Sequence, residues 1–371
     1  MKQLAAIAAI VAIVAGCAQK PITEQLEKAA QQGKYLYGHQ DDLMYGHTWN
    51  ATKENDHELS RSDVLSTAGA YPAVLGLDLG GIECGEDSPY GVNTNLDGNN
   101  FDIQREAAVK HYERGGIVTL SWHPRNPVTG GDAWDVSCDT VVEQILPGGS
   151  HNELFTLWLD NLGDYIASLK DKSGRTIPVI FRPWHEHTGG WFWWGTGLCT
   201  PEQYNALWVY TYKYLVEEKG LVDMVWAISP NSTSSEFEAW EERYPGDEYV
   251  DLIGLDCYQF KSPEEDFESC NARYIGDMRR CLAALQRMCE EHGKILAVTE
   301  TGFEGLPYAN WWTEVLQPAI DGFPISYVLT WRNTDEPGRR DVHYYAPWPG
   351  NEGEGNFRAF AEDAKTVFLK K

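Results

Sequence analysis

Short apolar runs alternate with amphipathic segments along most of this chain. Eight runs have the length and the β-branched content of buried strands: Tyr35–Gln40, Ala73–Leu79, Ile117–His123, Ile177–Glu186, Met224–Asn231, Leu252–Tyr258, Ile295–Gly302 and Ile325–Asn333. The segments between them place apolar residues at the helical period of 3.6, which predicts helices at Glu58–Ala68, Phe101–Arg114, Glu153–Lys170, Pro201–Lys219, Ala272–His292 and Trp311–Ile320. A last helix is predicted at Phe357–Leu369.

A strand followed by a helix, repeated eight times, predicts the α/β class and a single (β/α)8 TIM barrel. A doubly wound open sheet is the alternative. That fold usually carries a glycine-rich phosphate loop after its first strand, and the segment Tyr35–Tyr45 has none. Two long loops, Asp78–Asn100 and Arg125–Gly149, follow predicted strands, so they lie on the face where barrel enzymes place their active sites.

Chemistry in such a barrel is expected at the carboxyl ends of the strands. Only two of the eight predicted strand ends carry a glutamate, Glu186 on the fourth and Glu300 on the seventh. Glycoside hydrolysis uses two carboxyl groups, one to protonate the leaving oxygen and one to attack or to activate water. Glu300 follows a rigid apolar strand, as suits a nucleophile, whereas Glu186 lies among histidines and aromatic residues that favour retention of its proton.

Aromatic residues are concentrated directly after Glu186. The stretch Ile177–Gly195 reads IPVIFRPWHEHTGGWFWWG, in which His185 and His187 flank the glutamate. Sugar rings stack on indoles, so a flat aromatic surface beside a held carboxylate suits a sugar-processing cleft. We expect one or two of these tryptophans in the cleft, with Trp191 and Trp194 as the candidates, and the rest in the supporting core. The alternative is a tryptophan-rich packing contact beside a solvated glutamate.

Composition narrows the class of protein further. The 371 residues are 43% hydrophobic, which suits one large domain, and the net charge of −25 argues against nucleic acid and anionic membrane surfaces as partners. The 15 Trp and 19 Tyr fit either a large core or a polysaccharide cleft. No ligand spacing typical of zinc is present, and neither a metal nor a cofactor is expected.

The N-terminus has the features of a secretory signal. An apolar run from Leu4 to Ala15 follows Lys2 and is too short to span a bilayer as a mature helix. Ala15 and Gly16 before Cys17 resemble a bacterial lipoprotein processing box, which implies cleavage before Cys17 and a lipid anchor on it. Ordinary signal cleavage, with Cys17 incidental, is the alternative.

Three regions follow from this: a signal peptide at 1–16, an anchor, linker and first helix at 17–34, and a catalytic domain at 35–371. Residues 18–20 are not acidic, which favours an anchor facing the periplasm over display on the cell surface. The remaining seven cysteines are an odd number and are expected to be mostly buried thiols.

Several motifs together resemble the β-mannanases of glycoside hydrolase family 26. They are RPWHEHTGGWFWWG around Glu186, VTETG around Glu300, and the shorter SWHP, GLDCY and TWRN. The resemblance extends from Tyr35 to the end of the chain. It implies a (β/α)8 barrel with catalytic glutamates on strands four and seven, and hydrolysis with retention of configuration.

The resemblance also implies roles for single residues. Glu186 matches the acid/base and Glu300 the nucleophile. Tyr258 matches a tyrosine that hydrogen-bonds the nucleophile, and Asp256 lies beside it.

The other substrate-binding candidates surround the point of cleavage. His185 matches a residue that contacts the sugar there. His123 matches a histidine of the −1 region, where the sugar that becomes attached to the nucleophile lies. Trp331 and Arg332 match a stacking and polar pair on the glycone side, and Trp134 matches a residue of the loop after His123. The residues alone also allow His123 to be a core histidine and Arg332 a structural ion-pair partner.

The leading hypothesis is therefore a retaining β-mannanase acting on mannan, galactomannan or glucomannan. A β-xylanase or a mixed-linkage glucanase of the same family is the second hypothesis, and a non-catalytic glycan-binding lipoprotein is the third. The third would need neither Glu186 nor Glu300. The long loops after strands two and three leave both internal cleavage and release of short oligosaccharides open.

Overall fold

Eight parallel strands close into a barrel in the computed structural model, which describes residues 21–54, 58–232 and 237–369. The strands are β1 Tyr35–Gln40, β2 Val74–Asp78, β3 Ile117–Ser121, β4 Ile180–Arg182, β5 Val225–Ile228, β6 Leu252–Gln259, β7 Ile295–Phe303 and β8 Ile325–Thr330. Each strand pairs with the next, and β8 pairs with β1 through Leu36 opposite Tyr327. The predicted (β/α)8 barrel is confirmed. The predicted signal peptide and Cys17 lie outside the described residues.

Helices alternate with the strands around the barrel. The α-helices are Pro21–Gln31, Ala51–Glu54, Asp63–Ala68, Phe101–Glu113, Val141–Ile145, Asn152–Ser168, Pro201–Lys213, Phe237–Glu242, Phe267–His292, Gln317–Ile320 and Glu354–Glu362. Single turns of π-helix occupy Tyr214–Glu218 and Trp312–Leu316, and 3₁₀ turns occupy Ile82–Asp87 and Asp247–Tyr249. Thr200 and Gln203 form the capping box that starts one helix, and Gly293 ends another in the left-handed region.

The first helix, Pro21–Gln31, closes the end of the barrel away from the site. Its apolar residues Ile22, Leu26 and Ala29 pack in one buried cluster with residues at the beginnings of strands, among them Leu36 and Ile117. Leu26 is fully buried. Because this end is plugged by apolar side chains, the polar strand ends at the opposite mouth are the part of the barrel open to a substrate.

Several predicted elements end differently in the structure, and two of these differences change the path of the chain. The fourth strand stops at Arg182 instead of continuing to Glu186, because Trp184 and Glu186 both adopt positive φ angles, 52° and 51°. The last predicted helix ends at Glu362, and the chain then forms a short strand, Thr366–Leu369. This strand pairs with the start of β1 and with Tyr71–Pro72, so it covers a sheet edge instead of extending the helix.

All seven cysteines of the described residues are free thiols, and five of them are buried. That agrees with the expectation of buried thiols. Within the described residues, every helix is too short or too polar to cross a bilayer.

Candidate active site

Glu300 lies inside strand β7 at an irregularity of the ladder. The pairing of β7 with β6 shifts register between Val298 and Glu300, which places Glu300 opposite Asp256. Thr299 lies in the shift, and its hydroxyl donates to an Asp256 carboxylate oxygen at 2.6 Å. A bulge of this kind re-aims a side chain while the strand stays rigid, so the Glu300 carboxylate is fixed at the barrel mouth.

Both carboxylate oxygens of Glu300 are held. The Arg182 guanidinium donates to Oε1, and the Tyr258 hydroxyl donates to Oε2 at 2.7 Å. Arg182 is 3% exposed and also donates to an Asp256 oxygen at 2.8 Å. A buried arginine shared between two carboxylates compensates their charge. The two donors, Arg182 and Tyr258, fix the orientation of the Glu300 carboxylate.

Arg182 is the functional residue that the sequence interpretation missed. The signal was present, because an arginine that ends a buried apolar strand needs a buried anion as its partner. The partners, Asp256 and Glu300, are 74 and 118 residues away in sequence, so the strand order around the barrel had to be known first.

Glu186 reaches the same place from a strained loop. Its left-handed backbone is uncommon for a residue other than glycine and costs about 1–3 kcal/mol, as does that of Trp184. The loop is tied to the next strand end, since the Glu186 amide donates to the Ser229 carbonyl at 2.7 Å. The hydrogen bond to Ser229 therefore offsets the local backbone strain. The left-handed backbone directs the carboxyl group of Glu186 into the cleft.

The environment of Glu186 raises its pKa well above the usual value. Burial is the largest cause, and the negative charges of Glu300 and Asp256 act in the same direction. The Trp191 indole opposes the shift, because its Nε1 donates to Glu186 Oε2 at 2.7 Å. A glutamate with a raised pKa keeps its proton to a higher pH than an ordinary glutamate, which suits a general acid.

Three carboxyl groups meet at the bottom of the cleft. One oxygen from each of Glu186, Asp256 and Glu300 lies within 4.8 Å of the others. Three carboxyl groups this close together have the oxygen ligands to bind one cation. Here the positively charged Arg182 guanidinium pairs with two of them, Asp256 and Glu300. Burial and Glu300 raise the pKa of Asp256 to about 7, although Arg182 opposes them. A separation this short between Glu186 and Glu300 corresponds to the spacing of about 5–5.5 Å used by retaining glycosidases.

The cleft above these carboxylates has a volume of about 430 Å³. Its lining combines carboxyl, amide and aromatic groups: Glu186, Trp191, Asn231, Ser232, Asp256, Tyr258, Phe260, Trp331 and Tyr345. The predicted residues Trp191, Asp256, Tyr258 and Trp331 are thus brought together with Glu186. The mix of aromatic faces and a few polar groups suits a carbohydrate ring.

The structure buries two of the predicted sugar contacts. Trp194 is fully buried, stacks on Phe192 with ring centroids 4.5 Å apart, and donates to the His185 carbonyl at 2.9 Å. His185 is 1% exposed. Of the clustered tryptophans only Trp191, 41% exposed, reaches the cleft.

His123 forms a buried relay with His185. Asp78 lies 2.6 Å from Nδ1 of His123, and the two histidine Nε2 atoms are 3.0 Å apart. Burial lowers the pKa of His123, but Asp78 outweighs it and the net shift is upward. Burial, Arg182 and His123 all lower the pKa of His185. These opposite shifts favour His123 Nε2 as the donor and His185 Nε2 as the acceptor.

Trp134 covers this relay at the rim of the site. Its ring stacks on His123 with centroids 5.2 Å apart and an interplanar angle of 17°, and 46% of the residue is exposed. The structure therefore places Trp134 beside the predicted −1 histidine, with surface left for a ligand.

Arg332 lies in a second, more polar cavity of about 360 Å³. It forms an ion pair with Asp97 at 3.0 Å and donates to the Tyr45 hydroxyl at 3.2 Å. Arg332 thus has a structural ion-pair partner in Asp97 and also lines a cavity, and its predicted role in binding sugar stays a prediction.

Comparison with known proteins gives a consistent result. The model of glycosyl hydrolase family 26 matches residues 23–314. A mannan endo-1,4-beta-mannosidase of Bifidobacterium adolescentis is 32% identical over 347 residues, which is 89% of this chain and 33% of that protein. One of Thermothelomyces thermophilus is 31% identical over 53% of this chain and 38% of its own length. The chain thus spans about a third of the length of these two relatives.

Solved structures agree over a longer part of both chains. A GH26 beta-mannanase from Bacteroides ovatus has a TM-score of 0.84 at 43% identity, covering 95% of this chain and 96% of that one. The catalytic domain of a GH26 endo-beta-1,4-mannanase from Bacillus sp. JAMB-750 has a TM-score of 0.80 at 35% identity, covering 94% and 91%. With its barrel and its pair of glutamates, one in the loop after β4 and one on β7, this chain belongs to glycosyl hydrolase family 26.

Proposed function

We propose that the protein is a retaining β-mannanase, which cleaves β-1,4-mannosidic linkages through a covalent glycosyl-enzyme intermediate. The observation that carries this proposal is the pair of carboxyl groups at the bottom of the cleft. Glu186 and Glu300 approach within 4.8 Å; Glu186 has a raised pKa, and Glu300 accepts hydrogen bonds from Arg182 and Tyr258.

The first step forms an ester. Glu186 gives its proton to the glycosidic oxygen while Oε1 or Oε2 of Glu300 attacks the anomeric carbon, so the C–O bond to the leaving sugar breaks as the bond to Glu300 forms. The separation of the carboxyl groups leaves no space for a water molecule between Glu300 and that carbon. Direct attack is therefore the route that the geometry favours.

The second step hydrolyses the ester. Glu186, now a carboxylate, takes a proton from water, and the hydroxide attacks the anomeric carbon from the face that the leaving sugar vacated. Glu300 departs as a carboxylate and regains the hydrogen bonds from Arg182 and Tyr258. Two inversions give net retention at the anomeric centre.

The choice of mannan rests on the relatives. The two curated relatives described above act on mannan by name, and the two solved structures are named as mannanases. The Bacteroides ovatus structure is matched over 96% of its chain at 43% identity. A xylanase or a mixed-linkage glucanase would use the same two carboxylates. Only the polysaccharide that is hydrolysed fastest distinguishes these two activities from that of a mannanase.

The test is hydrolysis of purified polysaccharides at equal concentration. We expect release of reducing sugar from mannan, galactomannan or glucomannan at a rate at least about a hundredfold above that from xylan or mixed-linkage glucan, in the range of discrimination that an enzyme site achieves. Faster release from either of the other glycans would contradict the proposal for mannan but leave the retaining mechanism standing. Binding to glycan without any hydrolysis would favour the non-catalytic alternative.

We also propose that Cys17 carries a lipid anchor and that the enzyme faces the periplasm. The support is the sequence Ala15-Gly16-Cys17 after a short apolar run, followed by residues that are not acidic. Cys17→Ser should move the protein from the membrane fraction to the soluble fraction. Digestion of the anchored protein by a protease added to unbroken cells would contradict the periplasmic location.

A further inference from the structure

Phe260 is an exposed aromatic residue in the wall of the catalytic cleft. It is 68% exposed, and it lines the same cavity as Glu186, Trp191 and Tyr258. A single exposed phenylalanine elsewhere on a protein surface needs no explanation. Here the apolar ring borders the cleft in which we expect a carbohydrate to lie, and its position next to the reacting groups suits it to bind sugar.

The backbone that carries Phe260 is anchored. Its carbonyl oxygen accepts a hydrogen bond from Nη2 of Arg273 at 2.5 Å. Arg273 is in turn held by both carboxylate oxygens of Glu265, at 3.0 and 2.9 Å. The preceding residue, Gln259, donates to Asn271 at 2.7 Å at the beginning of the helix Phe267–His292. The ring is therefore presented by a fixed segment, which reduces the entropy that a ligand contact would cost.

The strand order around the barrel tells which side of the cleft Phe260 belongs to. Trp191 follows β4 and Phe260 directly follows β6, whereas Arg332 follows β8 and Asp97 lies in the loop after β2. In a ring of eight strands the sector from β4 to β6 lies opposite the sector that contains β8, β1 and β2. The cleft thus has Trp191 and Phe260 on one side, here called the aromatic sector. Trp331 and the polar cavity of Arg332 lie on the other side.

The position of the general acid, Glu186, determines in which direction the bound sugar chain runs across these two sides of the cleft. A general acid must lie beside the oxygen of the leaving sugar, and Glu186 belongs to the β4 sector, where Trp191 contacts it. The leaving sugar therefore occupies the aromatic sector, and the sugar that becomes attached to Glu300 points towards Arg332.

We infer that Phe260 is a specificity-determining residue that stacks on a sugar of the leaving group and, together with Trp191, makes the enzyme select chains that continue beyond the cleavage point. This inference rests on the proposed glycoside hydrolysis. It predicts that Phe260 contributes only when a sugar occupies the leaving-group side. The covalent intermediate and the sugar attached to Glu300 do not contact this ring.

Two substrates separate this role from a structural one. Mannohexaose places sugars on both sides of the cleavage point, whereas a mannobiosyl fluoride has fluoride as its leaving group. Phe260→Ala should lower kcat/KM for mannohexaose about fivefold to tenfold, the effect of losing one aromatic stacking contact, and leave kcat/KM for the fluoride unchanged. Phe260→Tyr should restore the hexaose rate, and Val342→Ala, which trims another exposed apolar residue (61% exposed), should change neither.

A second readout uses the trapped enzyme. A 2-deoxy-2-fluoro glycosyl ester on Glu300 is released slowly by water and faster when an added oligosaccharide acts as acceptor in the leaving-group site. Phe260→Ala should raise the mannobiose concentration that gives half-maximal release and leave the release by water unchanged.

Equal losses on mannohexaose and on the fluoride would show a structural role for Phe260 and overturn the inference, as would a hexaose rate equal to that of the unmodified protein. If the unmodified protein prefers another glycan, the proposal for mannan fails by itself. The same comparison with a hexasaccharide and a biosyl fluoride of that glycan then decides the role of Phe260.

Discussion

Trp191→Phe is the substitution that examines the acid most selectively. It keeps an aromatic ring in the cleft but removes the indole N–H that donates to Glu186 Oε2 at 2.7 Å. That hydrogen bond favours the carboxylate form, so it lowers the pKa of Glu186 against the upward effects of burial and Glu300. Its loss must raise the pKa of Glu186 further, and the acid then keeps its proton to a higher pH.

The size of the shift follows from the exposure of the donor. A hydrogen bond to a charged group contributes about 1.5–3 kcal/mol when it is buried. Trp191 is 41% exposed, so water replaces part of the lost bond and about 1 kcal/mol remains. About 1 kcal/mol changes the ratio of protonated to ionised Glu186 about fivefold at a given pH, in favour of the protonated acid.

The assay is the pH dependence of kcat/KM on a mannooligosaccharide, because its alkaline limb reports the acid of the free enzyme. The limb should move to higher pH in Trp191→Phe. Trp134→Phe is the matched control, since Trp134 is a comparably exposed tryptophan that stacks on His123, and its alkaline limb should stay in place. An unchanged or lowered limb in Trp191→Phe would refute the assignment of Glu186 as an acid tuned by this indole.

Three further substitutions examine the carboxylates and their partners. Glu186→Ala should lower kcat on polymer by about 10²–10⁴ and cost far less on an activated aryl mannoside, whose leaving group needs no proton; equal losses would contradict the acid role. Arg182→Met should lower the free energy of unfolding by about 3–5 kcal/mol in a denaturant titration, because Asp256 and Glu300 then lack their buried cation; an unchanged midpoint would argue against the ion pairs. Tyr258→Phe removes the 2.7 Å hydrogen bond to Glu300 and should lower kcat about tenfold or more, with a circular-dichroism melting curve close to that of the unmodified protein; unchanged turnover would exclude this hydrogen bond from catalysis.

The sequence predicted the barrel because its signals are local. The residues of an apolar run such as Ile295–Gly302 are enough to indicate a buried strand. Eight such runs with helices between them are compatible with few folds other than a (β/α)8 barrel. The pair Glu186 and Glu300 was found from the same eight predicted strands, since these are the two whose predicted ends carry a glutamate.

Where the prediction was wrong, a tertiary contact outweighed the local pattern. The run Ile177–Glu186 has a strand-like beginning, yet Glu186 is bound to the Ser229 carbonyl and adopts a left-handed backbone that no propensity predicts. The end of the chain has helical periodicity through Phe357 and Phe360, but the segment Thr366–Leu369 finds an open sheet edge and pairs with it.

The remaining errors in the site concern the direction of side chains. Trp191 and Trp194 are equally suited to stack on sugar by residue type, and only the fold shows that Trp194 points into the core. Arg182 was overlooked for a related reason, because its role depends on two carboxylates contributed by distant strands.

The central claim is that Glu300 attacks the anomeric carbon while Glu186 supplies the proton. A 2-deoxy-2-fluoro mannosyl fluoride tests it most directly, because it slows the hydrolysis of the ester more than its formation. Peptide mapping of the inactivated protein by mass spectrometry should place one fluoromannosyl group on Glu300. A label on Glu186 or Asp256, or an unlabelled protein whose fresh product has the inverted anomeric configuration by NMR, would contradict the retaining mechanism.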